Sequence, residues 1–245
     1  MEMAVRFEGA GKRFGRSSVF GDVCLEVKAG SFFGLAGVNG AGKTTLIKCM
    51  LDFCSLDEGR VEIFGKSHLA RGARSGLCYL PERFNPPYYL KGGDFLDYAL
   101  KLQGKSVARE AVHSLLEEID LAQDALSRPV RMYSKGMTQK LGLSACFLSG
   151  KDLLVLDEPM SGLDPKARAL VKRKLRRLHE AGKTLLFTSH SLEDMGDLCD
   201  SMALLHEGKI LFSGAPREFC GDSFDMETAF LERIGGASCI STISG

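Results

Sequence analysis

A glycine-rich loop early in the chain has the residue types needed to bind phosphate. Residues 37–45 read Gly-Val-Asn-Gly-Ala-Gly-Lys-Thr-Thr and match the pattern G-x-x-x-x-G-K-[ST]. Glycines let successive backbone N–H groups point at phosphate oxygens, and the N-terminus of a following helix adds partial positive charge. Lys43 can reach the β- and γ-phosphates, and the Thr44 hydroxyl can bind Mg²⁺. The loop therefore predicts a nucleotide-phosphate site, with candidate ligands Asn39, Gly40, Gly42, Lys43, Thr44 and Thr45.

Two adjacent carboxylates follow a short aliphatic run further along the chain. Leu153–Leu156 has the composition of a strand buried on both faces, and it leads directly into Asp157 and Glu158. Ligands of open α/β sheets bind at the carboxyl ends of strands. Neighbouring strand residues point in different directions, so Asp157 can bind Mg²⁺ while Glu158 orients or deprotonates an attacking water. The alternative is a solvated acidic pair at a strand end.

Strands that alternate with helices must position these residues. Alternation of apolar and polar residues predicts half-buried strands at 3–7 and 23–27, and a second buried strand is expected at 184–188. A helical pattern covers 165–181, and an apolar run precedes the phosphate loop. This alternation predicts an α/β layer with a mostly parallel sheet.

The middle of the chain has a helical texture. Pro86 and Pro87 interrupt the pattern, and four apolar residues then recur at helical spacing: Val112, Leu115, Leu116 and Ile119. We interpret residues 85–149 as a helical subdomain inserted between two strands of the sheet.

Composition sets further bounds. The 245 residues are 44% hydrophobic and 26% charged, as in ordinary globular proteins, and 32 Lys and Arg stand against 31 Asp and Glu. The resulting charge of +1 excludes a surface that is basic throughout. Eight cysteines occur without a C-x-x-C pair, which favours small core residues in a reducing compartment over disulfides or a zinc site. No apolar stretch is long enough to span a bilayer, so we expect a cytoplasmic protein whose membrane role is peripheral.

Four further segments occur in a fixed order around these two motifs. They are Phe14 in Lys-Arg-Phe-Gly, the segment Tyr133-Ser134-Lys135-Gly136-Met137 followed by Gln139, the tetrapeptide Ser161-Gly162-Leu163-Asp164, and Thr188-Ser189-His190. Taken alone, each segment can be explained by an ordinary structural role: Phe14 as a core residue, Ser134 as a helix N-cap, and His190 as a hydrogen-bonded neighbour of a helix cap. In this order, together with the phosphate loop and the Asp-Glu pair, they resemble ATP-binding-cassette (ABC) ATPases over residues 14–190.

The resemblance implies a fold and a set of roles. The implied fold is an α/β P-loop NTPase with a mostly parallel sheet, an N-terminal antiparallel β subdomain and an inserted helical subdomain. The nucleotide-binding core would cover 1–84 and 150–220, with a C-terminal extension at 221–245. In the family, Phe14 would stack on adenine, and His190 would contact the γ-phosphate. Two such subunits, identical or different, would pair head to tail around ATP and Mg²⁺, with Ser134 and Gly136 facing the partner's phosphate loop. Asp164 would be a further nucleotide-binding residue.

The sequence departs from the family pattern at two places. The signature segment is S-K-G-M rather than the commoner S-G-G-Q, and Glu82 stands where the family typically has Gln. Glu82 can still accept a hydrogen bond from metal-bound water, but it adds a negative charge near Asp157 and Glu158. Both features resemble the bacterial branch that exports drugs, polysaccharides, lipids or ions.

These observations predict the ATP-hydrolysing subunit of a membrane exporter, on the inner face of the cell membrane. The transporter's membrane subunit is expected to dock on residues 83–95, where Tyr88 and Tyr89 are adjacent on a loop. One alternative is a soluble ABC ATPase that acts on nucleic acid or ribosomes, supported by the basic stretch 165–183. Another is a nucleotide sensor without catalysis, which the presence of both Asp157 and Glu158 disfavours. No nucleic-acid partner is expected.

Overall fold

A computed structural model describes residues 2–221 and 225–240. Its strands are Met3–Phe14 (β1), Ser17–Lys28 (β2), Phe32–Ala36 (β3), Glu58–Ile63 (β4), Lys66–Ser67 (β5), Leu77–Leu80 (β6), Leu153–Asp157 (β7), Thr184–Ser189 (β8), Ser201–His206 (β9) and Lys209–Gly214 (β10). Its α-helices are Lys43–Met50 (α1), Gly92–Leu102 (α2), Arg109–Glu118 (α3), Lys135–Leu148 (α4), Pro165–Glu180 (α5), Leu192–Leu198 (α6), Pro216–Cys220 (α7) and Met226–Ile240 (α8).

The chain divides into two compact units. The first combines the chain up to Ser75 with the chain from Leu186 onward, and the second is Gly76–Leu185. The segment 85–149 lies inside the second unit, together with β6 and β7. A subdomain boundary at 85 and 149 stays a prediction, as does the C-terminal extension, whose residues 222–224 and 241–245 lie outside the described residues.

An antiparallel sheet in the first unit has the strand order β2-β1-β4-β5. Val5 lies opposite Val27 on one side and opposite Ile63 on the other, and all three side chains are buried. The exposed Arg6 on the same strand pairs with Glu26 at 3.1 Å. Alternating burial therefore places one face of the sheet in the core, and the predicted strands at 3–7 and 23–27 and the antiparallel subdomain are confirmed.

The first unit also contains strands β3, β9 and β10. β3 pairs in parallel with β9, and β10 adds to β9 in antiparallel orientation. Every residue of β3 is buried. Gly34 allows helix α6 to approach the strand, because a Cβ there would lie 2.2 Å from the sulfur of Met195. The strand that leads into the phosphate loop is therefore tightly packed.

The second unit combines two parallel strands with helices. β6 and β7 run in parallel, with Leu77 opposite Leu153 and Leu80 opposite Leu156. The apolar core of its helical part consists of Phe95, Leu96, Val130, Leu141 and Ala145. The predicted helical pattern is confirmed, since Leu115, Leu116 and Ile119 are buried and Val112 is half-buried. Helix α4 packs in this core and carries the signature segment at its N-terminus.

Seven cysteines are free: Cys24, Cys49, Cys54, Cys78, Cys146, Cys199 and Cys220. Cys49, Cys78 and Cys146 are buried, as predicted for small core residues, whereas Cys24 is exposed. Burial raises the pKa of Cys49 to about 12, so this thiol stays protonated at neutral pH. Among the described helices, none is both long and apolar enough to cross a membrane.

Candidate functional site

The phosphate loop connects β3 to α1 and is shaped by its glycines. Gly40 and Gly42 have φ angles of 84° and 108°, in the left-handed region that favours glycine. Gly42 is also the N-cap residue of α1. At Gly37, a Cβ would lie 2.3 Å from the carbonyl oxygen of Leu205. The backbone can take this path only with glycine at these positions.

Lys43 is held inside its own loop. Its ammonium group donates to the carbonyl oxygens of Gly37 at 2.5 Å and Val38 at 3.3 Å, and the side chain is buried. Asn39 and Gly40 are exposed at the tip, and Thr44 and Thr45 are half-buried in the first turn of α1. A fixed cation at a helix N-terminus, beside the exposed residues of the loop tip, is suited to a phosphate chain.

Phe14 ends strand β1 and is 57% exposed. The ammonium group of Lys12 lies 5.2 Å from its ring centroid, within the range of a cation–π interaction. Lys12 is itself buried and pairs with Asp57 at 3.2 Å. Asp57 also accepts a hydrogen bond from the backbone N–H of Arg13 at 2.6 Å. This bond, with the Lys12 ion pair, holds the pKa of Asp57 below its ordinary value, so the anchor beneath Phe14 is charged at neutral pH.

His190 lies in the turn between β8 and α6. It directly follows the last residue of β8 and is exposed. The backbone N–H of Ser191 donates to the hydroxyl of Ser189 at 3.0 Å, and Ser191 is the N-cap of α6. The turn therefore places the imidazole at the carboxyl end of a buried strand, as the sequence predicted.

Asp157 and Glu158 end strand β7 in different environments. Asp157 is fully buried, whereas Glu158 is half-buried. Glu158 has a φ of 50°, an uncommon value for a residue other than glycine. Such backbone conformations are costly and cluster at functional sites. Strand β7 ends at Asp157, and the chain departs from extended backbone at Glu158.

Glu82 follows strand β6 at the same edge as this carboxylate pair. Because Leu80 lies opposite Leu156 in the parallel pairing, both strands end at one level. Burial raises the pKa of the Tyr79 phenol, and the charges of Asp157 and Glu82 raise it further. The second unit thus concentrates negative charge around Tyr79.

The signature segment and the loop after Glu158 contact each other within the second unit. Ser134 is the N-cap of α4, and its hydroxyl accepts from the backbone N–H of Met137 at 3.2 Å. A Cβ at Gly136 would lie 3.0 Å from the carbonyl oxygen of Gly162. The Gln139 amide donates to the carbonyl of Pro159 at 3.1 Å. The same loop ends at Asp164, which caps α5 by accepting from the backbone N–H of Ala167 at 2.9 Å.

The candidate residues therefore fall into two groups. The first unit carries Phe14, the phosphate loop and His190; the second carries Glu82, Ser134, Gly136, Asp157, Glu158 and Asp164. The anchor formed by Lys12 and Asp57 was not predicted from the sequence. Lys12 lies two residues before Phe14, but nothing in the local pattern points to Asp57. In the described part of the chain, no cluster of three or more His, Cys, Asp or Glu side chains could hold a metal ion.

Comparison with known proteins gives one family. Residues 20–161 match the family described as ABC transporter. An uncharacterised ABC transporter ATP-binding protein of Synechocystis sp. is 38% identical over 201 residues, covering 81% of this chain and 57% of that protein. The chain thus spans little more than half the length of that relative. A Nod factor export ATP-binding protein of Rhizobium etli is 32% identical over 236 residues, covering 95% of this chain and 74% of that protein.

A solved structure agrees with these sequence matches. The ATP-binding subunit of an ABC transporter has a TM-score of 0.84 and 26% identity, covering 94% of this chain and 99% of that chain. The predicted fold is confirmed by this likeness: a P-loop NTPase of mixed α/β type, with an antiparallel β subdomain, a parallel-rich sheet and helices.

Proposed function

The chain belongs to the ABC transporter family, and we propose that it binds and hydrolyses ATP to power export through a separate membrane subunit. The observation that carries the proposal is the phosphate loop, in which a buried lysine is fixed at the N-terminus of α1. The Asp-Glu pair at the end of β7 adds the groups that hydrolysis needs.

ATP would be held by the first unit. Backbone N–H groups of Asn39, Gly40 and Gly42 and the Lys43 ammonium bind the phosphates, together with the hydroxyls of Thr44 and Thr45. Phe14 offers an exposed ring on which adenine can stack, and the Lys12 ammonium, paired with Asp57, lies against one face of that ring. His190 is assigned to the γ-phosphate.

Mg²⁺ fits the available donors. Magnesium sites commonly combine one or two protein oxygens with substrate phosphates, so a cluster of three carboxylates is not required. Asp157 is a fully buried carboxylate at the carboxyl end of an apolar strand, the edge at which ligands of open α/β sheets bind. We assign the ion to Thr44 and Asp157, with Glu82 accepting from a water of its shell. Bound there, Mg²⁺ would neutralise charge on the phosphates.

Glu158 is the group that we assign to the attacking water. As a carboxylate it can orient the water and accept its proton, a role worth roughly 10²–10⁴-fold in rate. Its backbone has a φ of 50°, whereas Asp157 is the last residue of strand β7. The metal ligand and the base are thereby separate residues.

A head-to-tail dimer would complete each site. Ser134 and Gly136 lie at the N-terminus of α4, where partial positive charge suits the γ-phosphate of the partner's ATP. Asp164, at the end of the loop that contacts this segment, would also face the partner. Hydrolysis removes the bridging phosphate, so the pair opens.

A membrane subunit is proposed to dock on residues 83–95. Tyr88 and Tyr89 are both 67% exposed, and their rings contact each other at 5.6 Å between centroids. The loop is fixed in place by backbone hydrogen bonds, from Arg131 to Tyr88 at 2.9 Å and from Val130 to Leu90 at 2.8 Å. Adjacent exposed tyrosines on a held loop are suited to anchoring a partner. Docked there, the chain would lie at the inner face of the membrane.

The nucleic-acid alternative gains no support. Part of the basic stretch on α5 is engaged within the second unit: Lys166 pairs with Asp120 at 2.9 Å, and Lys174 with Glu118 at 2.8 Å. The relatives are named as transporter components.

ATP binding is tested with Lys43→Ala. The variant should lose ATP affinity because the phosphates lose their main cation, whereas Lys48→Ala, an exposed lysine on the same helix, should bind normally. Titration with a fluorescent ATP analogue measures both, and circular dichroism checks the fold. Near-normal affinity of Lys43→Ala would refute the phosphate site.

Docking is tested with the double variant Tyr88→Ala/Tyr89→Ala. It should lose co-purification with the membrane subunit while keeping basal ATPase activity. Tyr98→Ala removes another exposed tyrosine of the second unit and serves as the control. A lower melting temperature with an intact complex would show that the tyrosines are structural.

A further inference from the structure

Lys135 joins two loops of the second unit. It lies between Ser134 and Gly136 in the signature segment, where the family more commonly has glycine. Its ammonium group donates to the hydroxyl of Ser161 at 3.1 Å. Ser161 belongs to the loop Glu158–Asp164, which follows the carboxylate pair. A residue that departs from the common family pattern thus contacts the loop that carries the proposed base.

The stem of Lys135 packs closely on this loop. A Cβ at Gly162 would lie 2.8–2.9 Å from the Cγ, Cδ and Cε atoms of Lys135. The methylene groups therefore cover Gly162, whose φ of 75° also favours glycine. Gly136 approaches the carbonyl of Gly162 from the next position along the helix. Both the stem and the ammonium of Lys135 are used in the contact.

A short path leads from this contact to Glu158. The backbone N–H of Ser161 donates to the carbonyl oxygen of Glu158 at 3.1 Å, and Leu163 donates to Met160 at 3.3 Å. These two overlapping turns fix the backbone from Glu158 to Leu163. Glu158 has a positive φ, and such a backbone conformation persists only where the surrounding structure holds it, so the loop that follows helps to hold Glu158.

Gln139 holds the same loop at a different point. Its amide donates to the carbonyl of Pro159 and is buried, so it fixes the beginning of the loop from one turn further along α4. Lys135 acts at the middle of the loop, where the hydrogen bond is exposed to solvent. The loop is therefore hydrogen-bonded to α4 at both points, and Lys135 makes the hydrogen bond next to Ser134.

We propose that Lys135 is a positioning residue that holds the Glu158–Asp164 loop against the signature segment. It thereby affects the rate of hydrolysis without binding the nucleotide. This inference rests on the proposed function, in which Glu158 acts on the attacking water. The Lys135 contact would link Ser134, which is assigned to the partner's ATP, to Glu158, which is assigned to the attacking water of the chain's own site. In chains with glycine at this position, the side-chain tie is absent.

The test compares four variants in steady-state ATP hydrolysis. Lys135→Met keeps the stem over Gly162 but removes the ammonium, and Ser161→Ala removes the acceptor. Each should lower kcat about three- to tenfold, the worth of one hydrogen bond, with KM for ATP changed by less than about twofold. The double variant should be no slower than either single variant, because both remove the same bond. Lys135→Arg keeps a donor and should recover most of kcat.

Lys166→Met is the matched control, since it removes an exposed lysine elsewhere in the second unit. Wild-type kcat in Lys135→Met, additive losses in the double variant, or a raised KM would each overturn the inference while leaving the proposed function intact. A raised KM in particular would make Lys135 a phosphate ligand. A wild-type protein that does not hydrolyse ATP would overturn the proposed function, and this inference with it.

Discussion

The two units hold their candidate residues by different means. In the first unit the backbone shapes the site: glycines at 37, 40 and 42 allow the loop its path, and Lys43 donates to carbonyls of that loop. In the second unit side chains join loops that are distant in sequence, as Lys135 does with Ser161 and Gln139 with Pro159. Changes in the first unit should therefore alter ATP affinity, and changes in the second should alter turnover.

The largest effect is expected in the second unit, at Glu158. Glu158→Gln keeps the size of the side chain but cannot accept a proton, so hydrolysis should slow by roughly 10²–10⁴-fold. ATP affinity should remain near wild type because the phosphate loop belongs to the other unit. Phosphate release measures the first quantity and titration with a fluorescent ATP analogue the second. The variant should also accumulate as an ATP-bound dimer in size exclusion.

Glu180→Gln changes an exposed glutamate at the end of α5 and is the control for the loss of charge. Wild-type hydrolysis by Glu158→Gln would transfer the role of base to Glu82 or His190. A large loss of ATP affinity would instead break the division of labour between the two units.

The next largest effect is expected at Ser134. In Ser134→Arg the bulky cation occupies the position assigned to the partner's γ-phosphate, so each subunit should bind ATP but the dimer should not close. Loss of one oxyanion contact is worth about 10²–10³ in rate, and we expect a loss of roughly 10²-fold. Ser106→Arg, on an exposed loop of the same unit, should be nearly silent.

Mixing Ser134→Arg with Lys43→Ala shows whether sites are shared between chains. Such a mixed dimer has one site with both defects and one with neither, so partial recovery of ATPase activity is expected. Full activity of Ser134→Arg by itself would argue against sharing.

What the sequence predicted depended on whether the structural constraint is local. The phosphate loop was predicted residue by residue, because its constraints are local: a strand, glycines with special backbone angles, and a helix start. The aliphatic run before Asp157 was equally clear. Lys12 and Asp57 are 45 residues apart, and Lys135 and Ser161 are 26 apart, so only the folded chain brings each pair together.

Strand lengths were less predictable for a physical reason. The alternating pattern indicated a strand at 3–7, whereas β1 continues to Phe14. Its pairing with β2 shifts between Phe7 and Ala10, and Gly9 there has a φ of 55°. Such an irregularity changes which face a side chain occupies, so the alternation is lost although the strand continues.

A smaller effect, on affinity, is expected in the first unit at Gly37. In Gly37→Ala the new methyl would meet the carbonyl oxygen of Leu205, a backbone atom that cannot move aside easily. Strain of about 1–3 kcal/mol would displace the loop, and ATP affinity should fall roughly tenfold. Gly21→Ala is the control, since a Cβ at that glycine meets no atom within 4 Å. Unchanged affinity in Gly37→Ala would show that the loop path tolerates a side chain.

The smallest effect is expected at Phe14, because its loss leaves every phosphate contact in place. Stacking of two aromatic groups is worth about 0.5–1.5 kcal/mol, so Phe14→Ala should weaken ATP binding roughly two- to tenfold. Turnover at saturating ATP should be unchanged, and Phe14→Tyr should bind normally. Phe53→Ala removes another exposed phenylalanine of the first unit and controls for surface change.

The ion pair of Lys12 and Asp57 next to Phe14 allows a second test of this prediction. Asp57→Asn removes the charge that holds Lys12 under the ring, so it should weaken ATP binding less than Phe14→Ala does. Because the pKa of Asp57 is lowered in the folded protein, the ion pair is complete at neutral pH and is lost only as the pH falls through that lowered value. Over neutral pH, affinity should therefore not depend on Asp57 ionisation. A fall in kcat without a change in ATP affinity, in either variant, would place Phe14 outside the ATP site. The first unit would then not bind adenine through Phe14.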